Sequence, residues 1–72
     1  MASKDRTQLS KGDIVRFPDG TRARLQSKPR PDSDRPDSAW TVLIRDLNDA
    51  GKETGATNTF ILLKDTRLNV VG

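Results

Sequence analysis

The chain has no cysteine, no histidine and no tyrosine, and a single glutamate among its 72 residues. Without cysteine there is no disulfide, no thiolate zinc site and no nucleophilic thiol. Without histidine and tyrosine, the commonest general bases and several metal ligands are also missing. The one glutamate, Glu53, stands in a loop-like stretch between Gly51 and Gly55. The nine aspartates lie mostly beside proline, glycine or turn residues, where short carboxylates favour local backbone hydrogen bonds. No catalytic residue, no metal site and no cofactor is expected, and the chain reads as a non-enzyme.

Long apolar runs are lacking too. The opening "MASKDRTQLSKGD" has no apolar stretch, and nothing approaches the roughly 20 residues of a membrane helix. There is no N-x-[ST] triplet. A cytoplasmic location is the expectation. Hydrophobic residues make up 32% of the chain and charged residues another 32%. One small domain can close around such a core, but with a stability of only a few kcal/mol.

What is present is unevenly distributed charge. Residues 1–30 carry eight basic and three acidic side chains, net +5. Residues 31–53 carry three basic and six acidic ones, net −3, and residues 54–72 add +1. An excess of positive charge at one end points to an anionic partner.

Alternating polarity marks strands rather than helices. "DIVRF" (13–17) and "RARLQS" (22–27) alternate with period two, as half-buried strands do. "AWTVLIRDL" (39–47) is longer and richer in β-branched residues, suiting a central, bent strand. "TNTFILL" (57–63) and "RLNVV" (67–71) complete five strands, with "KDT" (64–66) as a tight turn or a turn of 3₁₀ helix. The predicted fold is all-β: a small five-stranded barrel over residues 11–72, with a short 3₁₀ turn before the last strand. Residues 1–10 read as a flexible tail, and 29–38 and 48–57 as mobile loops. The predicted core is Val15, Phe17, Leu25, Trp40, Val42, Ile44, Phe60, Leu62, Leu68 and Val70.

The first hairpin can be read in register. If Pro18, Asp19 and Gly20 form a three-residue loop, proline takes its favoured turn position and glycine the left-handed one. Phe17 then opposes Thr21, Arg16 opposes Arg22, Val15 opposes Ala23 and Ile14 opposes Arg24. Val15, Phe17, Ala23 and Leu25 share one face; Arg16, Arg22 and Arg24 share the other. Arginines opposed across a ladder repel unless an anion lies between them. Two sources of that anion stand open. One is Asp32, Asp34 and Asp37 of the repeated "RPDS" segment (30–38), held extended by its prolines. The other is an external ligand, which makes Arg16, Arg22 and Arg24 a candidate anion or nucleic-acid face.

Taken together, "KGDIVRFPDGTRARL" resembles the opening of an SH3-like small barrel of the KOW or Tudor kind. The matching positions are Gly12, Asp13, Ile14, Val15 and Gly20, with Lys64 to Thr66 at the 3₁₀ turn. The resemblance implies a non-enzymatic interaction module. KOW modules bind RNA and proteins of the transcription and translation machinery, but their glycine-rich second strand is missing here. Tudor domains hold methylated side chains in an aromatic cage, for which only Phe17, Trp40 and Phe60 are available.

Other motif-like strings fail on inspection. "AGKET" lacks the first glycine and the hydroxyl residue of a phosphate loop. "DLNDAG" begins like a calcium loop, yet Ala50 and Thr57 stand where ligands belong. Trp40, with Val42 and Ile44, reads as core, with a rim stacking platform as the alternative. Leu43, Ile61 and Leu63 fall on the opposite face of their strands, leaving a candidate apolar partner surface. A protein partner is therefore expected, acting with this chain as an accessory or regulatory factor. Nucleic acid on the arginine face, and a place in a larger symmetric or phage-type assembly, are the alternatives.

Overall fold

A computed structural model of the chain describes residues 2–71, with Met1 and Gly72 outside the described residues. It contains β1 (Ala2–Asp5), β2 (Ile14–Arg16), β3 (Arg22–Leu25), β4 (Arg30–Pro31), β5 (Ala39–Leu47), β6 (Glu53–Leu63) and β7 (Arg67–Val70). No helix occurs among the described residues, so none is long and apolar enough to cross a membrane. All strands join one antiparallel sheet. β2, β3, β5 and β6 follow one another as a meander, β7 returns beside β2, and β1 lies outside β7. Two-residue β4 pairs the first half of β5 on the edge that β3 uses for the second half.

The β2–β3 hairpin has the register that its turn residues dictate: Ile14 opposes Arg24, Val15 opposes Ala23 and Arg16 opposes Arg22. Phe17 N–H donates to Thr21 O at 2.8 Å, and Gly20 N–H closes the turn on Phe17 O at 2.9 Å. Gly20 sits at φ +92°, in the left-handed region that glycine occupies without steric penalty. Asp19 finishes the loop by accepting from the Thr21 amide and hydroxyl.

Alternation then selects the core. Val15, Ala23, Leu25, Val42, Ile44, Leu62, Leu68 and Val70 point inward and are buried, together with Leu9. Phe17, Trp40 and Phe60 pack against this cluster but stay half-buried at its rim. The Phe17 and Phe60 rings approach to 5.2 Å between centroids, at 42°. Their strands are three places apart in the sheet, about 14 Å if it were flat at ~4.8 Å per strand. The sheet must therefore curl, and it forms a half-barrel that runs from β1 to β6, with short β4 as a further edge beside the first half of β5.

Three features differ from the sequence expectation. There are seven strands rather than five, because two polar segments pair. Residues 2–5, read as part of a tail, form β1 against β7, held by Arg67 donating to the Ser3 carbonyl and hydroxyl. Leu9, a lone apolar residue in that polar run, is 1% exposed. In the "RPDS" segment the prolines extend the chain, and Arg30–Pro31 settles beside Trp40–Thr41. As an edge strand it tolerates the missing proline N–H.

The segment before the last strand is a β-turn instead of 3₁₀ helix. Thr66 N–H donates to Leu63 O, and the Thr66 hydroxyl accepts from Leu63 N–H. Finally, β6 begins at Glu53, within the stretch read as a loop. It reaches that far through a bulge in which Gly55, Ala56 and Thr57 lie opposite the single residue Arg45.

Candidate functional site

Residues opposed in an antiparallel ladder share a face, so the sheet register places the outer side chains. Arg16, Arg22 and Leu47 form one row across β2, β3 and β5; Ile14, Arg24 and Arg45 form the next. The three arginines expected to share a face do so, and Arg45 joins them from β5. Their environments differ. Glu53 lies between the second pair, 3.8 Å from Arg24 and 3.3 Å from Arg45, and it also accepts from the Gln26 side-chain Nε2 at 3.0 Å. Arg45 donates further to the Gly55 carbonyl at 3.0 Å, so the bulge in β6 anchors this guanidinium.

The acid on the arginine face is thus Glu53. Among the described residues, Asp32, Asp34 and Asp37 make no ion pair. Distance along the strand explains why. Their loop enters β5 at Ala39, and Arg45 lies six residues on, about 20 Å at ~3.3 Å per residue. Sequence spacing hid Glu53, because 29 positions separate it from Arg24 and the bulge decides where it lands.

Among the described residues, Arg16 and Arg22 make no ion pair, and Arg22 donates only to the Asn48 carbonyl, at 3.3 Å. They line an open depression of about 400 Å³ with Gly20, Asp49 and Val71. Opposed like charges across a ladder are destabilising, so this end of the face is set to gain from an anion.

The apolar candidates lie on the same outer face. Ile61 opposes Thr41, Leu43 opposes Thr59 and Leu63 opposes Ala39. Leu43, Ile61 and Leu63 are 43%, 50% and 56% exposed. Leu43 stands two residues before Arg45 on β5, one same-face step away. A second depression, of about 340 Å³, begins at Leu43 and is lined also by Ser27, Arg30, Thr41 and Val42. Two surfaces that look separate in the sequence are therefore one surface, basic at the hairpin end and apolar at the β6 end. Arg30 and Arg45 border it, and sequence reading had assigned them no role.

Trp40 does not offer an open ring. It is half-buried, packs on the core, and carries the Arg6 guanidinium 4.7 Å from its centroid. The stretch that begins like a calcium loop is a tight turn instead. The Asn48 side chain accepts from the Ala50 and Lys52 amides, and Gly51 N–H closes on Asn48 O. Among the described residues, no three acidic side chains converge to hold a metal ion. Two carboxylates have clear electrostatic shifts. The Thr21 hydroxyl and amide hold Asp19 below its ordinary value of 3.8, and Thr7 does the same for Asp5.

Comparison with known proteins leaves the reading to this geometry: no family model, no curated protein and no solved structure matches the chain.

Proposed function

We propose that this protein is a non-enzymatic, cytoplasmic interaction module of SH3-like design, docking a protein partner on the outer face of β3, β5 and β6. The SH3-like reading is supported by the strand order, a four-strand meander with the closing strand returned beside its first. The docking reading rests on one observation. Exposed Leu43, Ile61 and Leu63 adjoin an arginine cluster partly neutralised by Glu53. Apolar anchors beside adjustable ion pairs suit a protein surface, where apolar burial supplies lifetime and charge supplies steering.

The test is affinity capture from native extract, with and without nuclease. Capture should survive nuclease and be lost in Leu43→Asp. Replacing Arg16 and Arg22 by Gln should slow association more than it shortens the complex. Nucleic acid is the second reading, favoured by Arg16 and Arg22, which make no ion pair among the described residues. On that reading capture is nuclease-sensitive and weakens steeply with salt. Arg16→Gln with Arg22→Gln would then lower the log–log salt slope by roughly two units, at ~0.9 per phosphate contact. That pattern would replace the protein reading.

A further inference from the structure

The two end strands of the half-barrel are unlike. β1 is four residues long and carries Lys4 and Asp5, charges of the kind that discourage edge-to-edge pairing. β6 is eleven residues long, and its residues 54–63, "TGATNTFILL", contain no charge and no proline. Such a segment at an open edge is a template for another strand.

The backbone groups available there can be identified. Leu43 O accepts from Gln26 N–H at 2.7 Å, and Leu43 N–H donates to the Ser27 hydroxyl at 3.2 Å. Both groups point toward β3, so Leu43 exchanges no bonds with Thr59, its partner on β6. Ala39 behaves alike: its N–H donates to Arg35 O and its carbonyl accepts from Asp32 N–H, leaving Leu63 unbonded across the ladder. Antiparallel pairs alternate between bonded and non-bonded, so the backbone groups of Thr59, Ile61 and Leu63 all face the open edge. The Thr66 turn occupies those of Leu63. Those of Thr59 and Ile61 remain.

We propose that β6 pairs with β6 of a second copy of this chain, antiparallel, about a two-fold axis at Phe60. In this register Thr59 exchanges both backbone bonds with Ile61 of the second copy, and Ile61 with its Thr59. Thr57 meets Leu63, and Lys64 falls opposite Ala56, so no charge meets another. A shift of two residues one way would set Thr57 against Asp65 and require the Leu63 groups already bonded to Thr66; the other way, Ile61 would have to pair with Thr57, inside the bulge. On the outer face the pairing juxtaposes Thr59 and Ile61, a β-branched pair of a kind that stabilises sheets. The contact is isologous and covers the β6 edge of both copies; the edges left open are the short, charged β1 and the two-residue β4, so assembly stops at two. The bonds are made along the β6 backbone edge; Ile61 also belongs to the proposed partner surface, so the pairing is read on the pure chain with no partner present.

Sedimentation equilibrium over a concentration series tests this. A species of twice the 8.0 kDa chain mass is expected, with slow hydrogen exchange at the Thr59 and Ile61 amides. Thr59→Pro removes an amide that points away from β5, and should give a folded monomer. Ile61→Lys should do the same by placing charge on the edge. Mixing Thr59→Cys and Ile61→Cys chains should form an intermolecular disulfide under oxidation, which neither variant forms efficiently alone. A monomer at every concentration, a dimer unaffected by both edge variants, or a mass that keeps growing would each overturn the proposal. If Thr59→Pro fails to fold, Ile61→Lys and the cysteine mixture still decide.

Discussion

Leu9 carries more of this fold than its surroundings announce. It sits in a polar run, yet its side chain is 1% exposed against the core. Neither periodicity nor composition could single it out; its burial depends on the turn that Asp5 closes with the amides of Thr7, Gln8 and Leu9. Leu9→Ala should cost about 2–5 kcal/mol, at least as much as Phe17→Ala, whose ring is half-buried. Urea denaturation of both variants checks this, and a near-neutral Leu9→Ala would mean that the segment does not dock. Asp19 was more legible, since Pro-Asp-Gly names the turn it closes. Folding lowers its pKa, so its contribution is present above the ordinary value of 3.8 and fades as pH falls through the folded value. Thr21→Val removes the largest cause, and an NMR titration should show the Asp19 pKa rising toward 3.8. An unchanged titration would assign the shift elsewhere.

Among the elements, β2, β3 and β5 were readable because alternation and turn chemistry agree on one register. Shifting the first hairpin by one residue would bring Phe17 to Arg22 and mix the two faces. Gly20 holds that agreement in place. A Cβ there meets nothing within 4 Å, so Gly20→Ala carries a backbone penalty alone, about 1–2 kcal/mol for a left-handed residue. Gly20→Asn should lose less, because asparagine tolerates that conformation; equal urea midpoints for all three proteins would contradict the turn assignment. β1, β4 and the start of β6 were not readable. Each is polar and gains its strand character from a neighbour: β7, β5 and the Glu53–Arg45 contact.

At the scale of the molecule, a radius of gyration of 11.7 Å is close to the ~11 Å of a compact 72-residue chain. The candidate surface was legible as two lists of residues but not as one face. Joining them required the β3–β5 register and the three-residue bulge, and local alternation encodes neither. The pairing of β1 with β7 has another consequence, for the order of events. Ala2 faces Val70 and Ser3 faces Asn69, so the first strand has no neighbour until the last one is in place. Such distant pairing is slow to find, whereas the β2–β3 hairpin needs only its own turn. Leu9→Ala should therefore speed unfolding and leave the folding rate nearly unchanged, while Ala23→Gly should slow folding. Stopped-flow measurements that put the Leu9 effect in the folding rate would reverse this order. During synthesis, residues 2–5 emerge before the strands that follow them, yet of the described strands theirs would be the last to find its place.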